Sequence, residues 1–424
     1  MKSRKPPNAP LSERLILWLA RNVFHYPISK MAELIAATVR RDMAFVLPQL
    51  QNFIGARCVG DTVLVAEFNR VHGETIETVA EYFLRLGYNV DALMSNELDA
   101  YKPFDTMGFP ADRFRRFTVP SACVADADLY DAMLRYEWIF LNTPETYVSG
   151  EKSWLEILNE NFGRKFFKRN YWHFCHGQTR RDKIRRDCPA VSDDLERCFV
   201  LHRFLVDGKP RPFLSMSHTG TCARKAGKSE HVRFLSVGAL ASTDDRMKNH
   251  SLIIGSAKGI VADAGAGRFS VSVVGRNDDG EEAIKAEFKN LPNCFDFRGT
   301  LTYPQMYKLM SESDFIIAGL DPENPGHREQ YLNHVCSGLF GHSVGFRLPL
   351  LINEEFAKAY GFEERNAVIY KGNELEGAMR RAIAMPQDEY ARMAAALGEM
   401  KEALQRESMD NMERVFGRAK NPHT

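Results

Sequence analysis

The sequence predicts two doubly wound α/β domains followed by a long C-terminal helix, and three observations carry that fold class. From Thr62 onward, short apolar runs alternate with amphipathic helical patterns, the signature of parallel strands joined by crossover helices. The stretch 218–230, HTGTCARKAGKSE, holds no large apolar residue and divides the alternation into two series. In the second series, residues 313–352 read as a buried strand, a polar loop, a short helix opened by Ser337-Gly338 and closed by Gly345 and Pro349, and another buried strand. A small hydroxyl residue and a glycine at a helix start leave backbone N–H groups bare in a positive field, a place for a phosphate group.

A chain of 424 residues exceeds one ordinary core. Its 44% hydrophobic and 26% charged residues are those of a soluble globular protein. A net charge of +1 argues against general nucleic-acid binding, although Lys2–Lys5 and Arg180–Arg186 are locally basic. The eight cysteines include no CxxC pair, so neither a zinc site nor a disulfide framework is signalled, and a reduced cytoplasmic setting is the simpler expectation. The apolar run Leu15–Ala20 is too short to span a bilayer and no small-residue cleavage site follows it, which argues against secretion by that route.

Taken in order, residues 1–10 are basic and proline-rich. Residues 11–53 carry two helical patterns, Leu15, Trp18, Leu19 and Val23, then Met31, Leu34, Ile35 and Val39. These form either a helical cap on the core or, with Arg14, Arg21, Lys30, Arg40 and Arg41 flanking them, a basic amphipathic surface for anionic lipid. TVLVAEF from Thr62 is a strand, Glu74–Leu86 a helix with Ile76, Val79, Ala80, Phe83 and Leu84 inward, and Gly87 its C′ residue before a strand at Tyr88–Met94. Further strands are expected at 136–142, 171–175, 198–205 and 212–217. After the linker come strands at 232–237, 269–274, 295–298, 314–319, 349–352 and 367–370, with helices at Lys248–Val261, Glu281–Asn290 and Pro304–Ser311. The charged segment Gln387–Phe416 closes the chain as a helix. The domains are therefore expected at 1–217 and 231–386, with 387–424 as C-terminal helix and tail.

Several strand ends carry reactive side chains. In EFNRVHGET (67–75), Asn69, His72 and Glu74 would line the interdomain cleft. Glu74 can equally serve as a first-turn acid favoured by the helix dipole. HFCHGQTRRDK (173–183) places His176, Arg180 and Arg181 at a second strand-to-loop junction, either gripping an anionic ligand or forming a solvated basic loop. AGAG (264–267) precedes a strand and is a turn, not a phosphate loop. Asp91, Asp99 and Asp105 are too scattered for a D-x-D metal motif, so no metal is expected.

Residues 231–384 resemble the C-terminal domain of the GT-B glycosyltransferases, the twin-Rossmann sugar transferases. Five pieces carry the resemblance in family order: FLSVGAL (234–240), RMKN (246–249), SVSVVG (270–275), FDFRGTLTYPQMYKLMSESDFII (295–317) and GFRLPLLI (345–352). The first half resembles the family only in its α/β pattern. The resemblance implies a nucleotide-sugar donor site that includes Gly238, Arg246, Lys248, Asn249, Gly275, Arg298, Ser337, Gly338 and Ser343. Arg246 and Lys248, just past a strand end, would face the charge that builds on the leaving phosphate; as plain solvated helix-start charges they need no ligand, and Ser337 and Ser343 can likewise be helix-end residues. Acceptor contacts would fall to Asn69, His176 and Arg180, and a general base to His72 or Glu74.

One departure bears on mechanism. Where the large retaining branch of the family has two glutamates, this chain has His334 and His342. That favours inversion. The resemblance thus implies a metal-independent transferase without a resident cofactor, moving a sugar onto a glycan or glycolipid acceptor in surface polysaccharide or lipopolysaccharide assembly. It would be cytoplasmic, with residues 1–53 available for peripheral contact at the inner face of the membrane. A sugar-nucleotide epimerase of the same shape and a non-catalytic nucleotide- or glycan-binding protein stay open as alternatives.

Overall fold

Strands buried on both faces need near-continuous apolar runs, and the runs of this chain pair accordingly in the computed structural model. The structure describes residues 48–417 apart from 57, 59, 146, 150–151, 163–170, 176–181, 183–184, 187–196, 207–210, 218–219, 221, 223–226, 239–248, 265 and 276–293. The expected helical patterns before residue 48, the helix Glu281–Asn290 and most of the basic loop after 175 lie outside the described residues. So does the first residue of the helix expected from Lys248, and only parts of the 218–230 linker are described.

In the first half, β1 (Thr62–Glu67), α1 (Gly73–Arg85), β2 (Asn89–Ser95), β3 (Phe114–Val119), β4 (Trp138–Leu141), the hairpin pair β5 (Tyr147–Ser149) and β6 (Lys152–Ser153), β7 (Tyr171–Cys175) and β8 (Cys198–Val200) follow one another. The second half runs β9 (Val232–Val237), α2 (His250–Ala264), β10 (Phe269–Val274), β11 (Phe295–Gly299), α3 (Tyr303–Glu312) and β12 (Phe315–Ile317). It continues with α4 (Gly338–Phe346), β13 (Leu350–Asn353), β14 (Ala367–Tyr370), α5 (Leu375–Ala384) and α6 (Gln387–Phe416). Each half holds a six-stranded sheet, ordered β3-β2-β1-β4-β7-β8 and β11-β10-β9-β12-β13-β14, with every pairing parallel. Leaving out the hairpin, both follow the doubly wound order in which the winding reverses beside the first strand. Ligands of such sheets sit outside the carboxyl ends of the strands at that reversal. Here the carboxyl ends of β1 and β9 mark those two points.

Several strands differ from the sequence expectation. β3, FRRFTV, was not foreseen, because its two central arginines hide the apolar pattern. Arg115 stays at the sheet by a two-pronged bond to the buried Asp91 carboxylate on β2 (2.7 and 2.6 Å). The strands expected at 198–205 and 212–217 are curtailed: β8 ends at Val200, and Phe213 contributes one isolated bridge to it. α6 spans the expected Gln387–Phe416 and returns to the first half, where the Tyr88 hydroxyl donates to the Phe416 carbonyl (2.6 Å).

Candidate active site between the two sheets

The loop after β1 is stiffened from beneath by Glu67. Its buried carboxylate accepts the Asn69 N–H (2.7 Å), the Asn142 amide (2.7 Å) and the Thr143 hydroxyl (2.5 Å). Burial pushes Glu67 well above the usual carboxylate range despite those donors. Asn69 caps the next turn, its Oδ1 accepting the Val71 N–H (3.1 Å). His72 then takes the left-handed backbone region (φ 70°), uncommon for a side chain of its size. Its carbonyl accepts the Thr75 hydroxyl (2.7 Å) and N–H (3.2 Å), so α1 starts at this bend.

The second half completes the site. Tyr303, the first residue of α3, accepts the Gly73 N–H at 2.7 Å and donates its hydroxyl proton to Glu74 Oε2 at 2.5 Å. A Cβ on Gly73 would stand 2.4 Å from the Tyr303 ring, so only glycine admits the ring here. One turn further along both helices, the Tyr307 hydroxyl donates to Glu77 (2.6 Å). His72 Nδ1 lies 3.6 Å from Glu74 Oε1. Burial works to raise the Glu74 carboxyl, but His72, His342 and the Tyr303 hydroxyl outweigh it and bring the group down to about 2. Glu77, one turn away in an apolar setting, is pushed well above its ordinary value by burial and by the Glu74 charge.

These groups border a cleft of about 470 Å³. His72 and Glu74 line one wall, and Gly238, Gly275, Ser337 and Gly338 the other. Glu74 Oε1 comes within 3.5 Å of where a Gly338 side chain would begin, so the acid looks onto the N-terminus of α4. Ser337 is the N-cap of α4, and no side-chain cap bond is made there. His342, one turn into that helix, also lines the cleft; it is buried, stacks edge-on against Tyr307 and has an Nδ1 without a hydrogen-bond partner. Burial lowers its pKa against the pull of Glu74.

Four expected contacts are placed elsewhere. Asn249 caps α2, accepting the Leu252 N–H (2.9 Å) and donating to Asp321 (2.9 Å). The buried Ser343 hydroxyl donates to the Leu348 carbonyl (2.7 Å) behind α4. Arg298 pairs with Asp296 (2.6 Å) on the edge strand β11. Asn69 supports the loop rather than lining the cleft. His176, Arg180, Arg246 and Lys248 lie outside the described residues. Of the two histidines at the family's glutamate positions, His342 faces the cleft while His334 pairs with Glu329 (2.7 Å). Tyr101, Arg70 and Tyr303 also line the cleft and were not foreseen. For Tyr303 the only local signal was the capping box of Thr302 and Gln305 with Pro304, which marks a helix start and nothing more.

No protein-family model matches the chain, and no curated protein matches it in sequence. Among solved structures, a glycosyltransferase from Rickettsia africae ESF-5 is similar over 84% of this chain and 98% of its own, with a TM-score of 0.50 at 11% identity. The likeness is one of fold: with the two sheets described above, it shows the GT-B architecture. Weaker matches include AviGT4, a glycosyltransferase involved in avilamycin A biosynthesis (TM-score 0.48, 12% identity, 85% of this chain and 99% of that one). Another is a Listeria monocytogenes protein proposed to be a UDP-N-acetylglucosamine 2-epimerase (TM-score 0.47, 9% identity, 79% and 91%).

Proposed function

We propose that the chain is an inverting, metal-independent glycosyltransferase that moves a sugar from a nucleotide-sugar donor to a glycan or glycolipid acceptor in surface polysaccharide assembly. The observation that carries this reading is the His72–Glu74 pair, 3.6 Å apart, standing across a cleft from the N-terminus of α4. A carboxylate held at about 2 is a weak base near neutral pH, so the two candidates divide the work. Glu74 stays ionised and turns the His72 Nδ1 toward itself; Nε2 would then take the acceptor's proton. As the acceptor oxygen bonds to the anomeric carbon, the bond from that carbon to the phosphate oxygen breaks. The hydroxyl proton goes to His72 and the electron pair leaves with the nucleoside phosphate. Backbone N–H groups at Ser337 and Gly338, with Arg246 and Lys248, would stabilise that charge.

The test is a thermal-shift panel with UDP, GDP, CMP and ADP on the wild type and on Lys248→Ala. A ligand at a hundred times its Kd stabilises the fold by about 2.7 kcal/mol. A shift with one nucleotide, lost in the variant, supports the donor site and names its class. No shift with any of the four defeats it. Turnover of the donor without any acceptor would instead indicate an epimerase. Donor binding without turnover, unchanged in His72→Ala and Glu74→Ala, would indicate a binding protein.

A further inference from the structure

Behind α4, on the side away from the cleft, lies a second cavity of about 560 Å³. Its walls come from both halves: Leu201 and Phe213 from the first, Phe340 and Phe362 from the second, and Met400 and Leu404 from α6. Well-packed interiors hold few voids larger than a water molecule, whereas ligand pockets have this size and this apolar lining. Contacts at the level of backbone and rigid rings hold the walls apart. Phe340 stacks on Tyr360 with ring centroids 3.6 Å apart, and the Tyr360 hydroxyl is fixed on the Tyr331 carbonyl (2.7 Å). A Cβ at Gly341 would come within 2.5 Å of the Met216 carbonyl oxygen, so α4 already rests on the backbone at Met216.

Its charged lining residues are both cationic. Arg203 is paired with Glu407. Lys358 is exposed on the helix Glu354–Tyr360, and its ammonium group has no carboxylate partner among the described residues. We propose that this cavity binds an amphipathic anion: one aliphatic chain lying along the apolar walls, with a terminal carboxylate or phosphate at Lys358. An apolar cavity stays dry and takes apolar matter readily, and the unpartnered ammonium selects the sign of the head group. The site is separate from the proposed transfer chemistry and does not depend on it.

Isothermal titration of the full chain with decanoate, decyl phosphate and the chain-matched cation decyltrimethylammonium, all below their aggregation concentrations, tests this. The two anions are expected to bind saturably, one per chain, and about fivefold more tightly than the cation, as one exposed charge pair allows. Lys358→Glu should erase that preference while all three probes still bind. Ala359→Trp, which fills the cavity from its half-buried wall, should abolish binding of all three. Leu404→Trp from the opposite wall repeats that test should Ala359→Trp fold poorly. Absence of saturable binding, equal affinity for anion and cation, or binding unchanged in the filled variants overturns the proposal.

Discussion

At the residue scale, His72 and Glu74 carry separable predictions. Replacing a general base removes about 10²- to 10⁴-fold of rate. His72→Ala is therefore expected to lower kcat by that order, with the nucleotide-induced thermal shift intact. Glu74→Gln keeps shape and hydrogen bonding but removes the charge beside the imidazole. It should lower kcat less than His72→Ala, because the imidazole keeps its place and its hydrogen bond. Equal kcat values in wild type and His72→Ala would end the base assignment. The carboxylates also act on stability, in opposite senses. Glu74 is held at about 2, below its ordinary 4.5, so the stability it contributes is present above about pH 4.5 and is lost as pH falls toward 2. Glu77 is raised by burial, so the folded state holds its proton more tightly than the unfolded one. Its contribution is complete below about pH 4.5 and is lost as pH rises through the raised value. Glu77→Gln should therefore lose less stability than the wild type between about pH 5 and pH 8 in urea titrations. Parallel curves for the two proteins would refute the raised value.

At the scale of elements, α1 shows what the sequence displayed and what it concealed. Ile76, Val79, Ala80, Phe83 and Leu84 recur at helical spacing and are buried as that spacing implies. Glu77, Thr78 and Tyr82 are buried too, against the pattern; Glu77 is covered by Tyr307 of the second half. Periodicity reports the face a helix turns to its own sheet; a partner 230 positions along the chain leaves no local trace. Tyr303 is hidden for that reason, as is the need for glycine at position 73. β3 was hidden differently, since Arg115 finds its partner only on the neighbouring strand. The site was legible where it coincides with strand ends (His72, Glu74, Gly238, Gly275) and helix starts (Ser337, Gly338), places that the fold itself dictates. The contact between α1 and α3 makes a direct prediction. Gly73→Ala places a carbon 2.4 Å from the Tyr303 ring and should cost about 1–3 kcal/mol, more than the helix gains from alanine. In a Tyr303→Ala background only the contact with the Pro103 Cβ, 2.8 Å away, remains, and the same substitution should cost less. A double-mutant cycle without coupling would mean that the two helices do not meet as described.

At the scale of the whole molecule, the two halves are joined by more than the linker. The clasp of Tyr303 on Glu74 and Tyr307 on Glu77 holds the cleft side, while α6 holds the back. That helix leaves the second half, passes Ser215, whose N–H donates to the Ser408 hydroxyl (2.9 Å), and Phe213, whose carbonyl accepts from Asn411 (2.9 Å). It ends with Phe416 in an aromatic nest of the first half. The ring lies 4.8 Å from Phe83, 5.2 Å from Trp138, 5.9 Å from Trp172 and 6.0 Å from Phe199, all centroid to centroid. The last helix of the chain thus supplies part of the first sheet's core, so neither half is complete without it. Truncating a buried aromatic to alanine costs about 3–5 kcal/mol, and Phe416→Ala should lose that much. The loss should also fall unevenly. The first half loses a core residue and its tether while the second keeps its sheet, so a denaturation curve expected to be a single transition in the wild type should separate into two. The earlier step should report on Trp138, Trp154 and Trp172, which all lie in the first half, making tryptophan fluorescence the probe and far-ultraviolet circular dichroism the comparison. Coincident transitions with an unchanged midpoint would show that α6 is an appendage to the second half; separated transitions would show that the cleft is held open or shut from both of its sides.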